Sequence, residues 1–106
     1  MIHDNVFTTG LAGQEVAVVG AGTSGRAAAR LAASRGGRVR LLEKREGTLT
    51  GEQQESLREA GIELCFGEHR PEDFQRAELI VVSPGIPVQG LQPMLPRHSW
   101  IVSELE

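Results

Sequence analysis

The sequence predicts a small α/β domain built on a parallel sheet of about five strands, with helices on both faces. Three observations lead to this prediction. Short apolar runs alternate with stretches of helical periodicity, the pattern that strands and crossover helices produce. Residues 20–25 read Gly-Ala-Gly-Thr-Ser-Gly, a Gly-x-Gly-x-x-Gly segment between the first apolar run and the first helical stretch. The 106 residues suffice for one domain, so a single Rossmann-like unit is predicted.

Glycine and proline signals separate the predicted elements. The first predicted strand is rich in β-branched residues and ends at Gly20, which is typical of a parallel strand buried on both faces. The helical stretch after it has small residues on its inner side and stops at Gly36-Gly37. Residues 1–13 show no period and are predicted to be a lead-in. We predict strands at 15–19, 38–43, 62–66, 78–82 and 100–102, helices at 23–35 and 51–60, a helical turn within 71–76 and a short helix near 91–95.

The order of the strands decides where a ligand can bind. In a doubly wound sheet with the order 3-2-1-4-5, the first and fourth strands are neighbours, and the ligand crevice opens between their carboxyl ends. The glycine segment follows the first strand, and the turn Ser83-Pro84-Gly85 follows the fourth. We therefore expect these two turns to face each other across one cleft.

Composition and charge argue against several classes of function. The net charge of −3 provides no basic field that could hold nucleic acid or an anionic membrane. One cysteine and three scattered histidines predict neither an internal disulfide nor a metal site. No apolar run is long enough to span a membrane, so we expect a cytoplasmic protein. The only lysine, Lys44, lies outside the glycine-rich turn, which excludes a P-loop within this chain.

The glycine segment has the chemistry of a diphosphate cradle. Gly20 permits a tight turn off the strand, Gly22 lets a bound group approach the backbone, and Gly25 lets the helix pack close to the strand. The free amides of the first helical turn attract an anion by about 0.3 to 1 kcal/mol. Glu43 follows Gly25 by 18 residues, at the end of the second strand, where its carboxylate could accept from a ribose hydroxyl or a base N–H.

Each of these features also has a purely structural interpretation. The glycine segment could be a tight turn alone, Glu43 could be an ordinary solvated acid at a strand end, and the Ser83 hydroxyl could only stabilise its turn. Cys65 is predicted to be a small buried residue of the third strand and not a nucleophile, because the sequence places no histidine beside it.

At these same residues the chain resembles the amino-terminal domain of the Mur ligases of peptidoglycan synthesis. The similarity is greatest to the members that add D-glutamate to UDP-N-acetylmuramoyl-L-alanine. It covers residues 11–25, 39–45, 77–87 and 101–106, and the Ser-Pro-Gly-Ile turn at 83–86 is its most specific part. The resemblance implies a domain that binds the UDP part of that substrate.

The resemblance also implies a role for individual residues. The diphosphate would lie on residues 22–25, with Thr23 and Ser24 contributing, and uracil would lie near the end of the second strand. Glu43 would accept from the uracil N3–H, and Arg45 would lie along the base. Gly85 would border the sugar side, and Lys44, Ser83 and Pro84 belong to the same predicted site. Similar relatives have aspartate, a small hydroxyl residue and arginine where this chain has Glu43-Lys44-Arg45, which moves the acceptor by about one methylene.

In that family a central domain binds ATP and Mg²⁺, and a third domain binds D-glutamate. The resemblance implies that ligation requires a P-loop lysine, Mg²⁺ ligands and a further lysine, which a chain whose only lysine is Lys44 cannot supply. We therefore expect this chain to bind substrate, to carry no cofactor of its own and to be catalytically inert. The polar end at residues 104–106 suggests a cut from a longer protein. Two alternatives stay open at this point: the NAD-binding domain of an oxidoreductase, and a non-enzymatic nucleotide sensor whose natural chain ends here.

Overall fold

A computed structural model of the protein describes residues 12–83, 86, 90–95 and 100–102. Most of the predicted lead-in, the Pro84-Gly85 pair and residues 103–106 lie outside this part of the chain. Within it, no helix has the length and apolarity needed to cross a membrane.

The described residues form one parallel sheet of five strands in the order β3-β2-β1-β4-β5, which confirms the predicted topology. The register brings Val19 of β1 beside Leu42 of β2 and Val82 of β4, so these three strands end at the same edge of the sheet. That edge is where the glycine segment and the Ser83 turn begin. The strands are β1 (Glu15–Val19), β2 (Arg38–Glu43), β3 (Glu63–Phe66), β4 (Leu79–Val82) and β5 (Trp100–Val102).

Two α-helices are described, α1 (Thr23–Ser34) and α2 (Gly51–Glu59), and each ends one residue before its predicted end. The end of α1 is a Schellman motif, since the N–H of Gly36 donates to Ala33 O and that of Gly37 donates to Ala32 O, each at 3.0 Å. The start of α2 is a capping box in which Thr50 and Gln53 exchange hydrogen bonds of 3.0 and 3.1 Å.

The sheet is buried on both faces, and the two covers differ. Both described α-helices lie on one face, where the alanines of α1 and Leu57 of α2 pack on alternate residues of β1, β2 and β4. The other face is covered by Phe74, Ala77 and Leu91, which lie in or beside short 3-10 turns at Pro71–Asp73 and Gln92–Met94. The turns occur where the sequence predicts a helical turn and a short helix, and they are the helical elements that the described residues place on this second face.

Candidate functional site

A cleft of about 520 Å³ opens at the carboxyl edge of the sheet. Its walls come from the ends of β1 and β2, from the turn after β3 and from the segment around the 3-10 turn at Gln92–Met94. Ligand sites of α/β sheets lie in this position. The lining residues are Gly20, Leu42, Glu43, Lys44, Arg45, Glu68, His69, Ile86, Gly90, Leu91 and Met94.

The structure brings part of the predicted site together at this cleft. Glu43, Lys44 and Arg45 line it, and Gly20 opens the glycine segment beside them. Gly22, Thr23 and Ser24 continue the segment into the first turn of α1 and are exposed to solvent, whereas Gly25 is buried. The predicted contributions of Pro84 and Gly85 fall outside the described residues.

The glycine segment is shaped by two close approaches. Gly20 has a φ of +98°, a conformation that favours glycine, and a Cβ there would come within 2.6 Å of Ile86 Cδ1. At Gly25 a Cβ would overlap the carbonyl oxygen of Gly20. Around Gly22, in contrast, a Cβ would meet no atom within 4 Å. Gly20 and Gly25 therefore serve the fold, as the sequence predicts, and the space over Gly22 is open to a ligand.

The amino terminus of α1 offers unpaired backbone donors. The first intrahelical hydrogen bond runs from Arg26 N to Gly22 O at 2.9 Å, so the N–H groups of Thr23, Ser24 and Gly25 come before it and have no carbonyl partner in the helix. Gly22, the N-cap residue, has no side chain that could cap these N–H groups, and the first turn of α1 contains no acidic residue. This helix end therefore keeps its partial positive charge for an external anion.

Glu43 is held by the protein itself, a role that could not be predicted from the sequence. Its Oε1 accepts a 2.8 Å hydrogen bond from Ala21 N, inside the glycine segment. Its Oε2 accepts from Arg45 N at 3.1 Å and from the Thr48 hydroxyl at 3.5 Å. A carboxylate oxygen can accept more than one hydrogen bond, so Oε1 retains capacity for a ligand. The predicted contact with a nucleotide base stays a prediction. In addition, Glu43 links the end of β2 to the glycine segment through this hydrogen bond.

Ser83 joins the two turns that were predicted to face each other. Its hydroxyl donates to the carbonyl oxygen of Gly20 at 3.3 Å, and its N–H donates to Val19 O at 3.0 Å. Ser83, the first residue after β4, therefore lies beside the glycine segment, as the topology predicts, and the rest of the predicted turn lies outside the described residues. This contact supports the structural interpretation of the Ser83 hydroxyl, and a contact between Ser83 and a ligand stays a prediction.

Glu68 and His69 are titratable residues of the cleft that the sequence does not predict as part of the site. The Lys44 ammonium lies 3.9 Å from Glu68 Oε1, and the His69 ring makes an edge-to-face contact with Phe74, with centroids 6.4 Å apart. Burial and then the nearby Lys44 lower the pKa of His69, which keeps the imidazole neutral at pH 7. The signal in the sequence that could have indicated this turn is Gly67, a glycine directly after the third strand. In the structure Gly67 has a φ of +109°.

Cys65 lies on the face of the sheet that Phe74 covers and is only partly buried, whereas the sequence predicts a buried residue. Its sulfur is 3.8 Å from Arg40 Nη2 and 3.8 Å from Glu63 Oε2. Burial raises the pKa of the thiol, and the Arg40 charge offsets part of that effect. The thiol is therefore protonated at neutral pH, as expected for a structural cysteine.

Known proteins resemble this chain over most of its length. The UDP-N-acetylmuramoylalanine--D-glutamate ligase of Nitratidesulfovibrio vulgaris (strain DSM 19637 / Miyazaki F) is 43% identical over 97 residues, which are 89% of this chain and 22% of that protein. A protein of the same name in Chlorobaculum parvum is 44% identical over 98 residues, which are 91% of this chain and 20% of that protein. The chain thus spans about a fifth of the length of these relatives.

The fold is also found in solved structures. The precorrin-2 dehydrogenase SirC superimposes with a TM-score of 0.66 over 86% of this chain and 44% of that one, at 19% sequence identity. A likeness at this identity concerns the fold alone. The sequence profile of the MurD-like N-terminal domain of the Mur ligases, however, matches residues 14–97. The chain therefore belongs to the family of MurD-like Mur ligase N-terminal domains.

Proposed function

We propose that this chain is the UDP-binding domain of a cytoplasmic peptidoglycan-synthesis ligase that adds D-glutamate to UDP-N-acetylmuramoyl-L-alanine. The observation that carries the proposal is the match of residues 14–97 to the MurD-like N-terminal domain. It is supported by a relative with this ligase name whose alignment covers 89% of the chain. The cleft at the carboxyl edge of the sheet supports it, because this is where nucleotides bind to such sheets.

In this proposal the diphosphate binds at the amino terminus of α1. The unpaired N–H groups of Thr23 and Ser24 donate to its oxygens, and Gly22 lets the anion approach because no Cβ stands in the way. A helix amino terminus stabilises a bound anion by about 0.3 to 1 kcal/mol, and by up to about 2 kcal/mol where the site is partly buried.

The base then lies at the end of β2. Glu43 Oε1 accepts from the uracil N3–H while it keeps its bond from Ala21 N. Arg45 lies along the base, and Lys44 adds a second cation at the same wall of the cleft. Gly85 is proposed to border the sugar side, and Ser83 and Pro84 are proposed to belong to the same site. These contacts bind and orient the substrate, and none of them activates a bond.

The chemistry of ligation is proposed to belong to parts of the enzyme outside this sequence. ATP and Mg²⁺, when bound there, supply the activation of the substrate carboxylate. Lys44 is the only lysine of this chain and follows β2, outside the glycine segment, so the chain holds no P-loop lysine. We therefore propose that the chain binds UDP-N-acetylmuramoyl-L-alanine and does not by itself turn it over.

A calorimetric titration tests this proposal. The chain is titrated with UDP-N-acetylmuramoyl-L-alanine, with UDP and with NAD under the same conditions. We expect both uridine ligands to bind with Kd values between about 1 μM and 1 mM, and NAD to bind more weakly than either. Binding of NAD without binding of the uridine ligands would show that the chain is a dinucleotide domain instead.

A further inference from the structure

The turn after β3 places His69 at the base end of the cleft. Phe66 of β3 pairs with Glu43 of β2, and the N–H of the next residue, Gly67, donates to Glu43 O at 3.0 Å. This bond and the positive φ of Gly67 fix the direction in which the chain leaves β3. His69 and Glu68 therefore line the cleft next to Glu43, Lys44 and Arg45.

The ring of His69 is held in place from behind. Phe74, which is fully buried beneath the second face of the sheet, contacts it edge to face with a centroid separation of 6.4 Å. The imidazole is half-buried, so one part of it packs against the protein and another part borders the cleft. A ring that is oriented in this way loses little conformational freedom when a ligand binds.

Burial and the nearby Lys44 favour the neutral form of His69. The groups whose charges act on it are the Lys44 ammonium and the carboxylates of Asp73, Glu43 and Glu68. Burial and Lys44 outweigh the three carboxylates, and the pKa of His69 is lowered. A neutral imidazole offers one N–H donor and one acceptor nitrogen.

We propose that His69 is a further specificity residue of this site, whose imidazole contacts the uracil of the bound UDP group from the β3 side of the cleft. The inference rests on the proposed function. A neutral ring has no charge to attract phosphate, and the diphosphate is assigned to α1. Because the uracil N3–H is assigned to Glu43, the N–H of the ring is free to donate to a uracil carbonyl oxygen, and the face of the ring can stack on the base.

The test is an NMR titration of the isotope-labelled chain with UDP and, separately, with inorganic pyrophosphate. In the wild-type chain, the ring Cε1–H resonance of His69 is expected to shift with UDP and not with pyrophosphate. For His69→Ala, the Kd for UDP is expected to rise about three- to tenfold, the loss of one hydrogen bond or stacking contact. The Kd for pyrophosphate should stay within about twofold. Gln75→Ala, an exposed residue at the other end of the sheet, is the matched control and should leave both Kd values unchanged.

Each outcome decides the inference. If wild type binds UDP and His69→Ala binds it equally well, or loses UDP and pyrophosphate to the same extent, the role of His69 is wrong and the proposed function stands. If wild type binds NAD and not UDP, the proposed function fails and the inference fails with it. If His69→Ala does not fold, the wild-type ring resonance decides, because a His69 signal that UDP leaves unmoved overturns the contact.

Discussion

The backbone N–H of Ala21 donates a 2.8 Å hydrogen bond to Oε1 of Glu43, and this bond joins the glycine segment to the end of β2. The same carboxylate accepts from Arg45 N at 3.1 Å through its other oxygen. Glu43 therefore connects the two ends of the candidate site, the helix terminus assigned to the diphosphate and the strand end assigned to the base. A change at Glu43 should alter both.

Glu43→Gln should destabilise the fold by about 1 to 2 kcal/mol, because an amide has only one acceptor oxygen and its NH₂ group must then face either Ala21 N or Arg45 N. Denaturant unfolding measures the loss, and hydrogen exchange of the Ala21 amide should become faster. Glu46→Gln, an exposed acid in the next turn, is the control and should change stability by less than about 0.5 kcal/mol. Equal stability of the Glu43 and Glu46 variants would show that the hydrogen bonds of the Glu43 carboxylate do not stabilise the fold.

Alanine at two glycines of the same segment should have opposite consequences. Gly25→Ala places a Cβ against the Gly20 carbonyl oxygen, which is backbone and cannot move away, so a loss of about 3 kcal/mol or more is expected. Gly22→Ala meets no atom within 4 Å and should cost less than about 1 kcal/mol, while it weakens binding of UDP. Thermal unfolding and a UDP titration measure both effects. A Gly22→Ala variant that binds UDP as tightly as wild type would mean that the anion does not approach there.

Arg40 neutralises a carboxylate on the second face of the sheet. The side chain of Asp73 is only 10% exposed, and its Oδ1 lies 3.8 Å from Arg40 Nη2. Arg40→Met removes this cation and the 3.3 Å bond to Asp73 O, so a loss of about 1 to 3 kcal/mol in unfolding free energy is expected.

Arg38→Met is the matched control for that change. Arg38 is 76% exposed and pairs with Glu15 at 3.6 Å, and an exposed pair of this kind contributes less than about 1 kcal/mol. Urea unfolding of both variants gives the comparison. A larger loss of unfolding free energy for Arg38→Met than for Arg40→Met would contradict the expectation that the less exposed pair contributes more.

The lowered pKa of His69 predicts a specific loss of stability in mild acid. Below about pH 6.5 the unfolded chain takes up a proton at this residue that the folded chain resists, because burial and Lys44 oppose the charge more than Asp73, Glu43 and Glu68 favour it. Stability should therefore fall as the pH decreases from about 7 through the ordinary histidine range. His69→Gln should remove this part of the pH dependence between about pH 7.5 and 5.5. An identical slope in both proteins would mean that the folded state does not disfavour the charge.

Much of the fold follows from local signals in the sequence. The β-branched runs, the paired glycines after α1 and the glycine segment after β1 each act within a few residues, and the strand order is that of the doubly wound fold that these signals predict. The hydrogen bond from Ala21 N to Glu43 could not be predicted in this way, because it depends on the register between β1 and β2. His69 could not be found for the same reason, because only the turn at Gly67 brings it beside β2.

The proposed site requires one nucleotide to join the amino terminus of α1 to the end of β2. Backbone amide shifts, followed as UDP is added to the ¹⁵N-labelled chain, report on both ends at once. We expect the largest shifts at Thr23, Ser24 and Arg45, and we expect them to saturate together with one Kd. Shifts confined to the opposite edge of the sheet, around Arg38 and Arg76, or no shifts at saturating UDP, would contradict the site.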